Sequence, residues 1–346
     1  MSQNLLELRN VSKVFRIGGL IFGTRLVAVD DVSLSLPAAE PSILSIVGES
    51  GSGKTTLARI ILELERPTAG DVLIDGHPLF EKGGDGLKGK DYYRAVQPIF
   101  QNPFEAFSAR KKVDRYLYNA ALRLKIARNR KDAREIVAEV LESVGLDLSR
   151  VEGKYANQFS GGELQRISVA RSLIPRPKLI VADEPVSMID ASLRMNIVNL
   201  FLELKEQYKV SFVYITHDLS TAYYVSDYIG IMYRGSVVEY GPSEQILTDS
   251  AHPYTELLLD SVPTVDHKWE RDLALPDIEV KEFQAQACKF AKRCRYAEAI
   301  CESTVPPLVQ VSPERQALCY KPVDFDPQAE AAWAQPLASQ NSVHKK

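Results

Sequence analysis

The sequence predicts an α/β protein built around a parallel β-sheet, and three observations indicate this. Residues 179–182 and 212–216 are continuous apolar runs, which are typical of strands that are covered on both faces. Residues 191–208, between these two runs, have the spacing of a crossover helix. Residues 42–47 form a third apolar run, which is followed by a glycine-rich turn and by the helical pattern of residues 55–64.

The N-terminal and middle parts of the chain add further elements. Residues 5–15 alternate apolar and polar side chains and predict a strand, residues 17–26 predict a glycine-containing hairpin or loop insertion, and residues 71–74 predict another strand. Residues 116–146 are rich in Ala, Leu, Arg, Glu and Val at helical spacing and predict a largely helical insert.

The composition is that of an ordinary folded protein. Of its 346 residues 45% are hydrophobic and 25% are charged, and the formal net charge is −3. These values exclude a disordered chain and argue against a general nucleic-acid binder, which is usually basic. No apolar run approaches the roughly 18 residues that span a membrane, and the mixed polar N-terminus does not fit a signal peptide. We therefore expect the chain to stay in the cytoplasm.

A phosphate-binding motif follows the first apolar run. The pattern G-x-x-x-x-G-K-[ST] is matched by Gly48, Glu49, Ser50, Gly51, Ser52, Gly53, Lys54 and Thr55. Its glycines let backbone N–H groups point at phosphate oxygens, and the following helix adds partial positive charge at its N-terminus. Lys54 can reach the β- and γ-phosphates, and the Thr55 hydroxyl can ligate Mg²⁺. The alternative, a glycine-rich turn with a chance lysine, does not account for the predicted strand and helix on either side.

Two carboxylates end the apolar run of residues 179–182. Asp183 can hold Mg²⁺ beside the phosphates, directly or through water, because it lies at the carboxyl end of a predicted parallel strand. Glu184 is suited to orient and polarise the attacking water. A solvated Asp-Glu turn is the alternative, and the phosphate-binding motif disfavours it.

A third motif, Phe159-Ser-Gly-Gly-Glu-Leu-Gln165, resembles the signature of the ATP-binding cassette (ABC) ATPases. Ser160 can cap a helix that starts near Gly162 with Glu163 in its first turn, which gives a second anion-binding helix end. The resemblance implies that this end presses on the γ-phosphate held by a partner protomer, through Ser160, Gly161, Gly162 and Glu163. Glu163 stands where many members have Gln.

Other positions of this family are present in family order. Gln101 matches the Q-loop, Asp190 matches the D-loop that crosses the dimer interface, and His217 matches the switch histidine. Phe15 stands where the family has an aromatic residue that stacks on adenine. The D-loop has Met188 and Ile189 where Ala-Leu is common.

The resemblance implies ATP and Mg²⁺ as ligands and names the residues that bind them. ATP would be bound by residue Phe15, by the motif residues and the adjoining Thr56, and in trans by the signature residues and Asp190. Mg²⁺ would be held by Thr55, Gln101 and Asp183. Hydrolysis would depend on Glu184, His217 and Gln101. The implied fold is a P-loop ABC ATPase domain with a mixed sheet core, a helical subdomain and an N-terminal antiparallel β part.

The C-terminal part resembles the oligopeptide/dipeptide importer branch of the family, through His252-Pro-Tyr-Thr255 and a cysteine region. The four cysteines of the chain are Cys288, Cys294, Cys301 and Cys319. Four thiolates suit a [4Fe–4S] cluster, which some members of this branch carry, or Zn²⁺. Free or paired thiols are the third alternative. We expect positive charge near the thiols to offset a cluster's negative charge, from Lys289, Lys292, Arg293 and Arg295.

We expect three parts in the chain. Residues 1–262 would form the nucleotide-binding domain, with the helical subdomain at about residues 102–165. Residues 263–325 would form a small module with the four cysteines, and residues 326–346 a flexible tail.

The expected function is the ATPase subunit of an importer for short peptides or a related solute such as an oligosaccharide. The implied partners are two transmembrane permease subunits, a second ATPase (a different chain or a second copy) and, indirectly, an extracytoplasmic solute-binding protein. The chain would lie on the cytoplasmic face of the membrane, and no nucleic acid is expected. One alternative is a soluble ABC ATPase of DNA repair or translation, but such proteins often carry coiled coils or two cassettes, and this chain has one cassette without sustained heptads. Another is a regulatory protein on a retired cassette, which the intact catalytic positions disfavour.

Overall fold

Two β-sheets form the framework of the chain in this computed structural model, which describes residues 3–17, 24–80, 89–261 and 287–320. The smaller sheet is antiparallel, with strand order β2-β1-β4-β5. Its strands are β1 (Asn4–Ile17), β2 (Thr24–Pro37), β4 (Ala69–Ile74) and β5 (His77–Pro78). The predicted strand at residues 5–15 is confirmed, and Ile17 pairs with Thr24, so residues 17–26 connect an antiparallel pair. Residues 18–23, with the glycines of this connection, lie outside the described residues.

The larger sheet is mixed, with strand order β11-β12-β10-β9-β3-β8-β7-β6. Its parallel strands are β6 (Val96–Ile99), β7 (Leu179–Asp183), β8 (Ser211–Thr216), β3 (Ile43–Val47) and β9 (Tyr228–Tyr233). Its antiparallel strands are β10 (Ser236–Pro242), β11 (Leu308–Ser312) and β12 (Arg315–Leu318).

Some helices of the first half of the chain pack against the strands, and others form the helical insert. In chain order they are α1 (Lys54–Ile61), α2 (Lys90–Ala95), α3 (Pro103–Ala106), α4 (Asp114–Arg123), α5 (Arg130–Ser143) and α6 (Leu148–Val151). The second half has α7 (Gly161–Leu173), α8 (Ala191–Tyr208), α9 (Leu219–Val225), α10 (Ser243–Thr248), α11 (Pro253–Asp260) and α12 (Ala299–Ser303). In the described ranges, none of the helices has both the length and the apolar character that crossing a membrane requires.

The central strands are buried on both faces, as their apolar runs predict. Every residue of β3 and β8 is buried. Along β8, Phe212 and Tyr214 belong to one hydrophobic cluster, and Val213 and Ile215 belong to another on the opposite face. Because complete burial of one such side chain contributes about 1.5–3 kcal/mol, the sheet is stabilised from both sides.

The helical insert is divided into two helices. The largely helical insert predicted at residues 116–146 is confirmed, and it consists of separate helices because α4 ends at Arg123 and α5 begins at Arg130. Lys125 has a positive φ of 56°, which breaks the helix, and the Asn129 side chain accepts hydrogen bonds from the first N–H groups of α5.

The C-terminal hairpin β11–β12 continues the main sheet. Glu239 and Tyr240 of β10 pair with Ala317 and Gln316 of β12. The buried Arg315 guanidinium lies 2.9 Å from the buried Glu239 carboxylate, which also accepts hydrogen bonds from the N–H groups of residues 251 and 252. Residues 308–318 therefore extend the core sheet. The expected boundary near Pro263 and the expected tail lie outside the described residues.

Candidate functional site

The phosphate-binding motif forms the loop that connects β3 to α1 and continues into the first turn of α1. Gly53, with a φ of 104°, caps the helix, which begins at Lys54. The buried Lys54 ammonium donates hydrogen bonds to the carbonyl oxygens of Gly48 at 2.7 Å and Glu49 at 2.8 Å. Burial lowers the pKa of Lys54, and the carboxylates of Glu184, Asp183 and Glu49 oppose this. Lys54 therefore stabilises the conformation of the loop by binding two of its carbonyl oxygens.

Two glycines allow this loop to approach neighbouring strands closely. A Cβ atom on Gly48 would lie 2.0 Å from the carbonyl oxygen of Met232 in β9. A Cβ atom on Gly53 would lie 2.1 Å from the carbonyl oxygen of Ala28 in β2. Because real Cβ atoms essentially never approach so closely, these two positions require glycine. Gly51 differs, since its φ is +78° but nothing lies within 4 Å of its would-be Cβ.

The end of β7 brings a carboxylate to the start of α1. The Thr55 hydroxyl donates to Asp183 Oδ1 at 3.3 Å. Burial raises the pKa of Asp183, and the hydrogen bond from Thr55 opposes this rise. A hydroxyl and a carboxylate in contact are a donor set that suits Mg²⁺.

Glu184 lies at the centre of a three-residue network. Its Oε2 accepts a hydrogen bond from Gln101 Nε2 at 3.2 Å, and its Oε1 lies 3.2 Å from His217 Nδ1. Its backbone N–H donates to the carbonyl oxygen of Ile215 at 2.9 Å, and its φ is 45°. A positive φ at a glutamate is a strained conformation of the kind that clusters at functional sites. The structure thus brings together the three residues that the sequence predicts to support hydrolysis.

The signature motif opens α7 with a reciprocal cap. The Ser160 hydroxyl accepts from the Glu163 N–H at 3.2 Å, and Glu163 Oε2 accepts from the Ser160 N–H at 2.9 Å. Arg150 forms an ion pair of 2.9 Å with Glu163 Oε1. The hydrogen bond from the Ser160 backbone, followed by that from Arg150, lowers the pKa of Glu163. The glutamate at a position where Gln is common therefore has a local partner of its own, Arg150.

This second helix end lies beside the D-loop. The would-be Cβ of Gly161 is 3.8 Å from the carbonyl oxygen of Met188, whose side chain is exposed, and that of Gly162 is 3.5 Å from Leu193. Asp190 is exposed at the cap of α8. Among the described residues, the hydrogen bonds of the Ser160 side chain are made with Glu163.

Comparison with known proteins decides the family. The ABC transporter family profile matches residues 29–187, and the profile "Oligopeptide/dipeptide transporter, C-terminal region" matches residues 238–301. The chain is 35% identical to the oligopeptide transport ATP-binding protein AppF of Bacillus subtilis over 325 residues, which cover 92% of this chain and 97% of AppF. This chain belongs to the ABC transporter family.

Two further comparisons extend the likeness. The ABC protein is 34% identical to the di/tripeptide transport ATP-binding protein DppF of Pseudomonas aeruginosa, over 93% of this chain and 99% of DppF. Its structure is similar to a dimeric post-hydrolysis state of the ATP-binding cassette MJ0796 bound to ADP and Pi. That similarity has a TM-score of 0.59 at 28% identity and covers 69% of this chain and 98% of the other. The P-loop ABC ATPase fold, with its mixed sheet and helices, is thereby confirmed.

The expected adenine-stacking residue, Phe15, lies on β1 of the smaller sheet. Phe15 is half-buried on β1 opposite Leu26, and Lys13 Nζ lies 5.0 Å from its ring centroid. The hydrogen bonds and ring contacts of the described residues do not join Phe15 to the phosphate loop, so its role in this ABC ATPase stays a prediction.

The four cysteines of the ABC protein line a single cavity. Cys288, Cys294, Cys301 and Cys319 share it with His252, Phe290 and other mostly apolar residues. Burial raises the pKa of the Cys288 and Cys294 thiols and lowers the pKa of His252 to about 3. Across the described ranges, no group of three or more His, Cys, Asp or Glu side chains is arranged to hold a metal ion.

The positive charges near the thiols have carboxylate partners of their own. Lys289 lies 2.7 Å from Asp30, and Arg293 lies 3.0 Å from Glu49. Arg295 pairs with Glu256. Three of the four cations near the thiols are thus paired with carboxylates, and the expectation that positive charge offsets that of a cluster stays a prediction.

Sequence reasoning missed two residues that contact the phosphate loop. Tyr254 accepts a hydrogen bond from the Glu49 N–H at 3.2 Å, and Arg293 binds the Glu49 carboxylate. The only signal in the sequence was that both lie in the C-terminal motifs of the importer branch. Nothing in the spacing indicated that these motifs reach a loop more than 200 residues earlier in the chain.

The close approach of Gly53 to the Ala28 backbone gives a first prediction. Gly53→Ala should weaken ATP binding about a hundredfold, because the Cβ would displace the loop from Ala28 and the positive φ would be strained. The matched control is Gly51→Ala, where only the φ is unfavourable and the expected loss is about fivefold. Titration with a fluorescent ATP analogue measures both. Equal losses in the two variants would contradict the close approach as the cause.

Proposed function

We propose that this chain is the ATP-binding and ATP-hydrolysing subunit that powers import of short peptides, or of a related solute, through a membrane permease. The observation that carries the proposal is the placement of Glu184 between Gln101 and His217, on the sheet edge that also holds the phosphate loop. The two relatives named above are peptide transport ATP-binding proteins, and this chain matches each of them over nearly its whole length. This similarity supports peptides as the cargo class.

In the proposed mechanism, the phosphate loop positions ATP for attack by water. The N–H groups of residues 48–56 and the Lys54 ammonium hold the phosphates, and Phe15 stacks on the adenine. Thr55, Gln101 and Asp183 would hold Mg²⁺, which offsets phosphate charge when bound. The Glu184 carboxylate accepts a proton from a water molecule whose oxygen attacks the γ-phosphorus, and the bond to the β–γ bridging oxygen breaks to give ADP and phosphate. His217 orients Glu184 and contacts the γ-phosphate.

The complete site is proposed to form between two ATPase protomers. The capped start of α7, with Ser160, Gly161 and Gly162, would close on the γ-phosphate held by the partner, and Asp190 would cross the interface. Ser160, at the start of α7, is exposed, and the adjoining Gly161 lies near Met188, so this helix end is accessible for such a contact. The second ATPase is a different chain or a second copy.

Closure and reopening of this sandwich would drive the transport cycle. ATP-dependent closure would turn two permease subunits outward, and hydrolysis would reset them, while an extracytoplasmic solute-binding protein delivers the cargo. The ATPase would sit on the cytoplasmic face of the membrane, with the helical insert α3–α6 towards the permease. A soluble ATP-driven clamp is disfavoured by the match to the oligopeptide/dipeptide C-terminal region.

The proposed role of Glu184 as the general base leads to a second prediction. Glu184→Gln should lower the ATP hydrolysis rate about 10²- to 10³-fold while leaving ATP binding within about threefold, because the amide keeps the side-chain shape but cannot accept the proton. Phosphate release and ATP titration measure the two quantities. The control is Glu135→Gln on the exposed face of α5, which should retain the wild-type rate. Turnover of the Glu184 variant at the wild-type rate would overturn the assignment.

For the cysteine cavity, we propose that the four thiols hold a [4Fe–4S] cluster, with Zn²⁺ as the alternative. The support is that all four thiols of the chain line one mostly apolar cavity, in which each cysteine is partly buried. The group would tie Cys288, Cys294, Cys301 and Cys319 together and stabilise the C-terminal part of the chain. Transport itself needs no redox chemistry, so the role would be structural or regulatory.

A third prediction tests the content of this cavity. Protein purified without oxygen should be coloured and should contain about four iron atoms and four acid-labile sulfides per chain. The variant Cys294→Ser should lose most of both while keeping its fold, which circular dichroism checks. Iron-free protein with one zinc per chain would favour the alternative, and protein without either metal would leave free or paired thiols.

A further inference from the structure

The segment between the first two cysteines contacts the phosphate loop directly. Arg293 Nη1 lies 3.0 Å from Glu49 Oε1 and 3.2 Å from Oε2. The Arg293 side chain is only 13% exposed, and its guanidinium lies 5.8 Å from the ring centroids of Tyr233 and Phe290. A guanidinium held between two rings and a carboxylate has little freedom to rotate, so this pair is more constrained than an ordinary surface ion pair.

Three groups of Glu49, namely its N–H, its carbonyl oxygen and its carboxylate, are each held by another residue. Its N–H donates to the Tyr254 hydroxyl, its carbonyl oxygen accepts from Lys54, and its carboxylate binds Arg293. Two of these three partners belong to the C-terminal part of the chain. The loop residue that follows Gly48 is therefore positioned largely from the C-terminal side.

A second connection from the cysteine region reaches the other side of the loop. Lys289 donates to the carbonyl oxygen of Arg234 at 2.8 Å and to the Ser236 hydroxyl at 2.9 Å, and it pairs with Asp30. The next residue in this turn, Gly235, donates its N–H to the carbonyl oxygen of Ser52 at 2.8 Å. The cysteine region thus supports the phosphate loop directly at Glu49 and through the β9–β10 turn at Ser52.

Arg293 is carried on a short turn whose two ends are cysteines. The Ala291 N–H donates to the Cys288 carbonyl oxygen at 3.1 Å, and the Cys294 N–H donates to the Ala291 carbonyl oxygen at 3.2 Å. The Cys288 N–H donates to the Cys301 carbonyl oxygen at 2.9 Å. Cys288 and Cys294 both line the thiol cavity, so the turn that carries Arg293 adjoins this cavity at both of its ends.

We propose that Arg293 is a positioning residue for the phosphate loop, which it holds through Glu49, and that it links nucleotide affinity to the state of the four thiols. The inference rests on the ATP site proposed above. An unpaired Glu49 carboxylate would repel the phosphates that its own loop binds, so loss of Arg293 should weaken nucleotide binding. This effect requires Glu49, and that requirement separates positioning from a general structural role.

A double-mutant cycle on the full chain tests the first part, with Kd for a fluorescent ATP analogue and Mg²⁺ as the readout. Arg293→Gln should raise Kd about three- to fivefold at low salt and less at 0.5 M salt. In a Glu49→Gln background the same change should have almost no effect, since the carboxylate is already gone. Arg295→Gln, which breaks the neighbouring exposed pair with Glu256, is the control and should match wild type.

The outcomes separate this inference from the ATP-site proposal. Wild-type protein that fails to bind the analogue would overturn the ATP site. Wild-type protein that binds, with Arg293→Gln equal to it or equally weakened in both backgrounds, would overturn only the positioning role. Arg293→Lys should recover part of the affinity, because it restores the charge without the planar guanidinium.

Thiol modification tests the second part. The chain has four cysteines, all in this cavity, so iodoacetamide modifies no other thiol. Alkylation should raise Kd at least twofold in the wild type and have little effect in the Arg293→Gln, Glu49→Gln double variant, with circular dichroism confirming that both stay folded. No shift in the wild type, or an equal shift in both proteins, would overturn the link.

Discussion

The structure depends on how closely the phosphate loop approaches its neighbouring strands. Gly48 lies against the backbone of Met232 in the large sheet, and Gly53 lies against the backbone of Ala28 in the small sheet. The loop is therefore wedged between the two sheets, and the N-terminus of α1 is fixed relative to both. Any side chain at either glycine would push the loop outwards and move Lys54 and Thr55 away from Asp183.

Strand order explains why distant parts of the sequence meet at this loop. In the large sheet β3, β8, β7 and β6 are successive neighbours, and all are parallel. The loop follows β3, His217 follows β8, Glu184 follows β7 and Gln101 follows β6. Because their carboxyl ends lie along one edge, four separate sequence motifs form a single site. The same sheet continues through β9 and β10 to the C-terminal hairpin, which brings the cysteine region to the opposite side of the loop.

Local patterns and recurring motifs made much of this predictable. The apolar runs of β3, β7 and β8 and the 18-residue crossover helix α8 are visible without tertiary information. So is the cap that Ser160 and Glu163 share. The position of the break between α4 and α5 depends on one left-handed lysine, Lys125, a residue type that carries no turn signal, so periodicity does not locate it. The contact of Arg293 with Glu49 spans 244 residues and depends on how the C-terminal segment packs, which no local pattern encodes.

This ABC ATPase is expected to work as part of a membrane importer. The most direct test is a tagged pull-down from detergent-solubilised native membranes, with the partners identified by mass spectrometry. We expect recovery of two polytopic permease subunits, with a second ATPase if the pair is made of different chains. Recovery of soluble partners alone, with the protein absent from the membrane fraction, would contradict this expectation.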